Sequence, residues 1–118
     1  MRFMIIRKAD RETEAGAPPS AEMISAMMKY NQELAEAGAL LQAEGLKPSA
    51  TGARVKFANG KSIVTDGPFL ETKELIAGFT MIRAKSKEEA IEWVKKWPAI
   101  DANAELEVRP FYEAEDFA

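Results

Sequence analysis

The residues best suited to chemistry form one short stretch, Thr65 to Glu74, which reads TDGPFLETKE. Asp66 opens a Gly-Pro turn, and Glu71, Lys73 and Glu74 follow closely behind it. Carboxylates and lysines are among the side chains that transfer protons in enzymes, and a lysine can also bind an anion. This stretch is therefore the candidate site, with Asp66 as the candidate acid–base residue.

The turn chemistry leaves three partners open for the Asp66 carboxylate. An aspartate at the start of a turn commonly accepts a hydrogen bond from the backbone N–H two residues later. Here that residue is Pro68, which has no N–H. We therefore expect the carboxylate to meet the N–H of Phe69, the ammonium group of Lys73, or a ligand. The Phe69 ring is expected to pin the loop to the core.

A purely structural role is the alternative for the same residues. Asp66 would then cap a buried turn, while Glu71, Lys73 and Glu74 would pair on the surface, as structural ion-pair networks often do. If residues 71–74 run extended, alternation places Glu71 with Lys73 on one side and Thr72 with Glu74 on the other. The residue types leave the chemical and the structural role open.

Two residue types are absent, and their absence limits the chemistry. The chain has no cysteine and no histidine, so thiolate nucleophiles, disulfides, imidazole bases and the usual transition-metal ligands are excluded. Carboxylates can hold Mg²⁺, but no ligand spacing indicates such a site, and we predict neither a metal nor a cofactor. Without histidine, Asp66 can donate a proton near neutral pH only if burial disfavours its ionised form.

Length and composition predict one globular domain over residues 1–118, with 47% apolar and 30% charged residues. The net charge of −3, with both signs interspersed, predicts no nucleic-acid partner. The apolar runs are too short to cross a membrane or to form a signal segment, so we expect a cytoplasmic protein.

Periodicity predicts the elements that must position this stretch. Two strands are apolar on both faces, two segments have the spacing of amphipathic helices, and two further strands complete the set. The strands are expected at Arg2–Lys8, Ala39–Glu44, Leu75–Ala84 and Glu105–Phe111, the helices at about 20–37 and 86–97, and a polar loop at Asp10–Pro19. Glu44-Gly45 is a possible bulge.

A hairpin is predicted directly before Asp66. Arg54–Phe57 and Ser62–Thr65 flank the dipeptide Asn59-Gly60, which strongly favours a two-residue hairpin turn. This hairpin delivers the chain to the candidate site.

The first helix carries a methionine stripe and a candidate ligand-binding tyrosine. Met23, Ile24, Met27 and Met28 recur at helical spacing and are predicted to lie in the core, although methionine also lines adaptable ligand surfaces. Tyr30 is placed where the helix can reach a pocket.

The order of elements predicts an α+β fold, a ferredoxin-like βαββαβ plan with an inserted β-hairpin. Two helices cover one face of a four-stranded sheet, yet the first and third core strands are apolar on both faces. We therefore predict a homodimer in which a second copy covers the other face. On that face Glu107 and Arg109 are expected to pair with each other or with neighbours, or to meet a ligand.

The sequence also resembles a known family. Asp66-Gly67-Pro68-Phe69, with Glu71-Thr72-Lys73-Glu74 and Gly78 behind it, is similar to the signature of the DGPF proteins within the YCII-related family. Further similar blocks, in the family's order, are Arg2–Lys8, Ala37–Leu41 with Glu44–Leu46, Glu89–Trp93 and Glu107–Pro110.

The resemblance implies a dimeric α+β barrel and an enzyme that uses an aspartate together with a histidine. This chain keeps the aspartate as Asp66 but contains no histidine, so it departs from that dyad. The resemblance also implies a regulatory alternative, since some DGPF proteins are linked with sigma factors.

The leading hypothesis is a small-molecule pocket beside the Asp66 loop, with lyase- or hydrolase-like acid–base chemistry at Asp66. Lys73 or Arg109 would bind an anionic group, and the remaining candidate ligand-binding residues are Glu71, Glu74 and Tyr30. The alternatives are a non-catalytic ligand-binding or regulatory dimer, and a dimeric scaffold whose turn is structural.

Overall fold

A computed structural model describes all 118 residues of the chain. The strands are β1 (Arg2–Lys8), β2 (Leu40–Gly45), β3 (Ala53–Ala58), β4 (Lys61–Asp66), β5 (Ile76–Arg83) and β6 (Leu106–Pro110). The helices are α1 (Arg11–Glu14), α2 (Ala21–Glu36) and α3 (Lys87–Val94). Short 3₁₀ turns lie at Ser49–Thr51, Thr72–Glu74 and Ala114–Phe117.

Four strands form the main sheet in the order β2-β5-β1-β6, and all neighbours are antiparallel. With the β3–β4 hairpin set aside, this is the ferredoxin-like arrangement of a βαββαβ chain. The predicted fold class is therefore confirmed. In the register of β1, Phe3 lies opposite Ile82 of β5 and Pro110 of β6.

The side of the sheet that faces the helices carries the core. β1 contributes Phe3 and Ile5, and β5 contributes Ile82, all fully buried. Leu34 of α2 and Ala90 of α3 belong to the same cluster. Each large apolar side chain buried here stabilises the fold by about 2 kcal/mol, so the sheet and the two longer helices hold one another in place.

The opposite side of the sheet has no layer over it. Met4 and Ile6 alternate with the core residues of β1 and therefore point to this side, together with Phe79 and Met81 of β5. All four are only half-buried. The prediction of two apolar faces is confirmed, and the face formed by these four residues, called the open face below, is uncovered in the single chain.

β3 and β4 pair only with each other and form a separate two-stranded sheet. Asn59 and Gly60 have φ angles of 52° and 78°, which is the geometry that the predicted hairpin turn requires. Nearly every residue of the hairpin is exposed. Residues 53–66 are called the arm below.

The arm makes the molecule extended. The radius of gyration is 16.2 Å, whereas a compact domain of this length has a value of about 13.5 Å. Only ten of the 118 residues are buried. The single chain therefore leaves a large share of its apolar surface in water.

The structure confirms the predicted helix as α2, but it buries fewer of the apolar residues of this helix than predicted. Ser20 caps the helix by accepting a hydrogen bond from the N–H of Met23 at 3.0 Å. Met27 packs against the core, whereas Ile24 and Met28 are 48% and 67% exposed. The predicted core stripe is wrong for those two residues, because the helix rests on the sheet through Met27, Tyr30 and Leu34.

Three local predictions need correction. Residues 10–19 are not a plain loop, because Asp10 and Thr13 form a capping box that opens the one-turn helix α1. The register irregularity of β2 falls between Leu40 and Gln42, and not at Glu44-Gly45. α3 ends at Val94, ahead of the predicted end at residue 97. None of the helices is both long and apolar enough to cross a membrane.

Candidate functional site

The Asp66 turn lies at the base of the arm, where β4 ends. Asp66 is the last residue of β4, and the Gly67–Pro68 peptide bond that follows is cis. The loop then runs through Phe69 and the 3₁₀ turn at Thr72–Glu74 before β5 begins. The stretch therefore connects the arm to the main sheet.

Ser49 and Glu14 fix this loop. The N–H of Phe69 donates to Ser49 Oγ at 3.0 Å. Ser49 in turn donates twice to the Glu14 carboxylate, from Oγ at 2.5 Å and from its backbone N at 3.0 Å. The loop is thus tied to the end of α1 and to the 3₁₀ turn after β2. Sequence analysis did not identify Ser49 or Glu14, because no spacing rule connects positions so far apart in the chain.

Gly67 allows the loop to approach the Ser49 turn closely. A Cβ atom placed on Gly67 would lie 1.8 Å from the carbonyl oxygen of Ser49. That atom belongs to the backbone and cannot rotate away. The N–H of Gly67 also donates to the carbonyl of Gly52 at 3.0 Å. A glycine at position 67 is therefore a packing requirement of this turn.

Phe69 packs on the arm and not in the core. Its ring lies 3.9 Å from the guanidinium carbon of Arg54, a cation–π geometry. The ring is half-buried and does not belong to the core cluster. The expectation that Phe69 pins the loop to the core is wrong, because its ring packs on Arg54 of the arm instead.

The Asp66 side chain is exposed and makes no hydrogen bond or ion pair within the chain. Of its three expected partners, the N–H of Phe69 is taken by Ser49, and Lys73 makes no ion pair. Water or a ligand remains. The register places Asp66 opposite Ala53 and therefore on the same face of the arm as Val55 and Val64.

Glu71, Lys73 and Glu74 surround the turn as free charges. All three are exposed, and the chain forms a 3₁₀ turn over Thr72–Glu74. None of the three makes an ion pair. Surface pairing among them and the extended alternation of residues 71–74 are both wrong.

Arg109 lies on the open face beside Glu107. The register sets Arg109 opposite Met4 and Glu107 opposite Ile6. Arg109 Nε is 3.8 Å from Glu107 Oε2, and the two side chains are 71% and 44% exposed. Of the alternatives left open for these two residues, the single chain shows a long ion pair between them. In the single chain they border the apolar open face and make no contact with the Asp66 turn.

Tyr30 lies on the helix side of the sheet, away from Arg109. Its hydroxyl donates to the carbonyl of Trp93 at 2.7 Å, and its ring packs against Trp97 edge to face at 5.3 Å. Burial, with a smaller contribution from Glu33, raises the pKa of Tyr30 to about 12. A shallow hollow of about 260 Å³ borders the ring. The structure thus separates Tyr30 from the other candidate residues.

A charge network that sequence analysis did not identify lies at the Lys8 end of β1. Arg7 donates to both carboxylate oxygens of Asp101, at 2.6 and 3.1 Å, and to Asp10 at 3.0 Å. The hydrogen bond to Asp101 is the main cause that raises the pKa of Arg7. The network joins β1 to the loop after α3 and to the cap of α1, and its role is structural.

The site therefore offers the unpartnered Asp66 carboxylate beside a loop that hydrogen bonds hold in place and that carries Glu71, Lys73 and Glu74, which are also unpaired. Charged side chains of both signs surround it, and an apolar sheet face with an Arg–Glu pair lies on the same chain. No group of three or more carboxylates is placed to hold a metal ion. Such an arrangement can bind a small polar molecule and move a proton once water is excluded.

The fold and this loop define an α+β protein of the ferredoxin-like class. The chain belongs to the YCII-related domain family, whose model matches residues 1–112. An uncharacterized protein of Rhizobium meliloti (strain 1021) is 38% identical over 76 residues, which cover 64% of this chain. The match spans 61% of the length of that relative.

One solved structure shares the fold along almost the whole chain. It is the 5-chloro-2-hydroxyhydroquinone dehydrochlorinase TftG of Burkholderia phenoliruptrix AC1100, in complex with 2,5-dihydroxybenzoquinone. The two chains superpose with a TM-score of 0.52 over 98% of each, at 16% sequence identity. The similarity supports the assignment of the fold.

Proposed function

We propose that two copies of this chain pack their open faces together and bind a small organic ligand in the enclosed space, beside the Asp66 loop. The observation that carries the proposal is the uncovered apolar face formed by Met4, Ile6, Phe79 and Met81. A sheet with two apolar faces needs a layer on each side. The helices supply one layer, and a second copy supplies the other.

The space between two such faces would have an apolar floor and charged walls. Arg109 presents a planar cation suited to a negatively charged oxygen, and Lys73 offers a second cation. Glu71 and Glu74 would line the entrance. This composition suits a flat ring that carries ionised hydroxyl groups.

The solved relative supports the class of ligand. TftG is a dehydrochlorinase and holds 2,5-dihydroxybenzoquinone, a flat ring of the kind just described. We propose a hydroxylated aromatic or quinone ligand for this chain, with Asp66 as the general acid or base. Proton transfer by a carboxylate serves eliminations, isomerisations and hydrolyses alike.

A non-catalytic regulatory or scaffold dimer is the second candidate. The exposed apolar surface of the arm favours it, since patches of this kind often mark contacts between proteins. In that case the Asp66 turn would only shape the base of the arm.

Light scattering at micromolar concentration tests the pairing of the open faces. We expect a dimer for the natural chain and a folded monomer for Ile6→Glu, because Ile6 is half-buried on the open face. The matched control is Ile100→Glu, at an exposed position in the loop after α3. A natural chain that is monomeric throughout the range would contradict the proposal.

Calorimetric titration with 2,5-dihydroxybenzoquinone tests the ligand class and the role of Asp66. Asp66→Asn should weaken binding or turnover by about tenfold, an effect of roughly 1.4 kcal/mol, with unchanged thermal stability. Glu12→Gln, at an exposed carboxylate, serves as the control. A dimer that does not bind 2,5-dihydroxybenzoquinone would favour the scaffold role. An Asp66→Asn variant that is less stable but binds normally would show that the role of the turn is structural.

A further inference from the structure

The arm exposes a continuous apolar face. Val55 lies opposite Val64, and Phe57 lies opposite Ser62, so all four side chains emerge on the same side of the hairpin. Val55, Phe57 and Val64 are 54%, 76% and 64% exposed. Adjacent apolar side chains with no cover mark a contact surface.

The other face of the arm carries its three cations together with the exposed Ile63. Arg54, Lys56 and Lys61 alternate with the apolar residues and emerge on the opposite side. With Asp66 as its only acid, the arm has a net charge of +2, while the whole chain has −3, which leaves −5 on the rest. A basic arm on an acidic body attracts the body of another copy.

The segment of residues 112–118 has the complementary surface. Tyr112 and Phe117 are 77% and 75% exposed, and their rings lie 5.3 Å apart. The acids Glu113, Glu115 and Asp116 lie between them. The segment thus combines an exposed aromatic pair with negative charge, as the arm combines apolar side chains with positive charge.

An ion pair holds this segment on the side of the open face. Arg2 alternates with Phe3 along β1, so its side chain emerges on the same side as Met4. Arg2 Nε donates to Glu113 Oε1 at 3.0 Å. A second copy packed on the open face would therefore meet the segment directly.

Within one copy, the arm and the segment lie at opposite ends of the main sheet. β5 begins opposite Lys8, where the arm leaves the sheet, whereas Phe111 bonds to Arg2 at the other end of β1. A strand of seven residues separates these ends by about 20 Å. The two complementary surfaces are therefore too far apart to meet within one copy, and each can contact a second copy instead.

We propose that the arm of each copy docks on the 112–118 segment of a second copy. This inference rests on the proposed function, in which two copies pack their open faces together. We place the two-fold axis between the two sheets and perpendicular to their strands. This axis brings the Lys8 end of one sheet over the Arg2 end of the other, so the contact forms twice. Phe57 then packs on Tyr112 and Phe117, and the net positive charge of the arm attracts the acids of the segment.

The docked arm completes the candidate site. Asp66 shares the apolar face of the arm with Val55 and Val64, so a partner that covers this face also shields the Asp66 carboxylate from water. The exposed aspartate of the single chain becomes part of an enclosed site only in the paired molecule.

Cross-linking tests the contact, and the absence of natural cysteines makes the experiment clean. Ser62→Cys places a thiol beside Phe57, and Ala114→Cys places one between Tyr112 and Phe117. The two variants are mixed, allowed to exchange subunits, and treated with a short bismaleimide. We expect a cross-linked dimer from Ser62→Cys with Ala114→Cys, and none from the control pair of Ser62→Cys with Ala102→Cys.

Charge reversal provides a second test. Lys56→Glu with Lys61→Glu changes the net charge of the arm from +2 to −2. This change should weaken self-association by about tenfold, because the arm is then repelled by the acidic segment. Adding Glu115→Lys to that variant should restore part of the loss. Lys85→Glu with Lys87→Glu makes the same change in net charge at the start of α3 and should leave self-association unaltered.

The outcomes separate this inference from the proposed function. Suppose that the natural chain dimerises, but that the pair of Ser62→Cys with Ala114→Cys gives no cross-link above the control and the two charge reversals have equal effects. That outcome overturns the docking of the arm and leaves the paired open faces standing. A chain that is monomeric by light scattering overturns both proposals. Cross-linking together with selective weakening and recovery supports the docked arm.

Discussion

The backbone N–H of Phe69 donates to the hydroxyl of Ser49 at 3.0 Å, across twenty positions of sequence. The same hydroxyl donates to Glu14, so one serine links three segments around the Asp66 turn. The link occupies the N–H that was an expected donor to the Asp66 carboxylate. The Ser49 backbone also approaches Gly67 so closely that a side chain there has no room.

Ser49→Ala should loosen the Asp66 loop. The substitution leaves the N–H of Phe69 without its acceptor and removes one of the two donors to Glu14, at a cost of about 1 to 2 kcal/mol in the free energy of unfolding. Amide hydrogen exchange should show faster exchange at Phe69. The control is Ser62→Ala, at an exposed position in the arm. Equal exchange at Phe69 in the natural chain and in Ser49→Ala would contradict the role of Ser49.

Gly67→Ala should destabilise the protein by about 3 kcal/mol, because overpacking against rigid backbone forces the chain to move. The added Cβ would lie 1.8 Å from the Ser49 carbonyl oxygen. Gly45→Ala is the matched control, since a Cβ there meets nothing within 4 Å. Urea unfolding of the two variants measures the difference. A Gly67→Ala variant as stable as Gly45→Ala would show that the turn is not tightly packed in solution.

The Arg7 network should make the protein sensitive to acid. The hydrogen bond from the backbone of Thr13 is the main cause that lowers the pKa of Asp10. Burial alone would raise the pKa of Asp101, but hydrogen bonds from Arg7 and Trp97 outweigh it and lower that pKa. Because both pKa values are lower in the folded state, their contribution to stability is complete above about pH 4 and is lost as the pH falls further.

Asp101→Asn should remove much of that acid dependence. At pH 7 the substitution should cost about 3 kcal/mol, because Arg7, whose side chain is 13% exposed, loses the carboxylate that binds it through two hydrogen bonds and keeps only Asp10. Denaturant unfolding between pH 7 and pH 3 measures both effects. The conservative control is Glu12→Gln, at an exposed carboxylate. If Asp101→Asn keeps the full loss of stability in acid, the network is not its source.

Tyr30 should ionise only at high pH. Its pKa is raised to about 12, so the folded state favours the protonated hydroxyl. That contribution to stability is present below the ordinary pKa of 10.0 and is lost as the pH rises from 10 toward 12. Ultraviolet absorbance of the phenolate, compared between the natural chain and Tyr30→Phe, isolates this group. Tyr30→Phe should cost about 1 kcal/mol through the lost bond to Trp93. A difference spectrum that titrates near pH 10 would show that the hydroxyl is not buried in solution.

The sequence was sufficient for the elements whose signals are local. Alternation along Arg2–Lys8 and Leu75–Ala84 predicted strands with two apolar faces, Ser20 predicted the start of α2, and Asn59-Gly60 predicted the arm. Each of these signals depends on backbone geometry within a few residues. The sequence also identified the Asp66 turn and, through the residue pattern around that turn, the family.

The tertiary structure alone decided which of those residues meet. Nothing in the spacing of Glu14, Ser49 and Phe69, or of Arg7 and Asp101, indicates that they bond, because contacts between distant segments depend on how the elements pack. For the same reason the structure, and not the sequence, placed Tyr30 and Arg109 on opposite sides of the sheet. It also left the Asp66 carboxylate without a partner and the apolar faces of the sheet and the arm exposed.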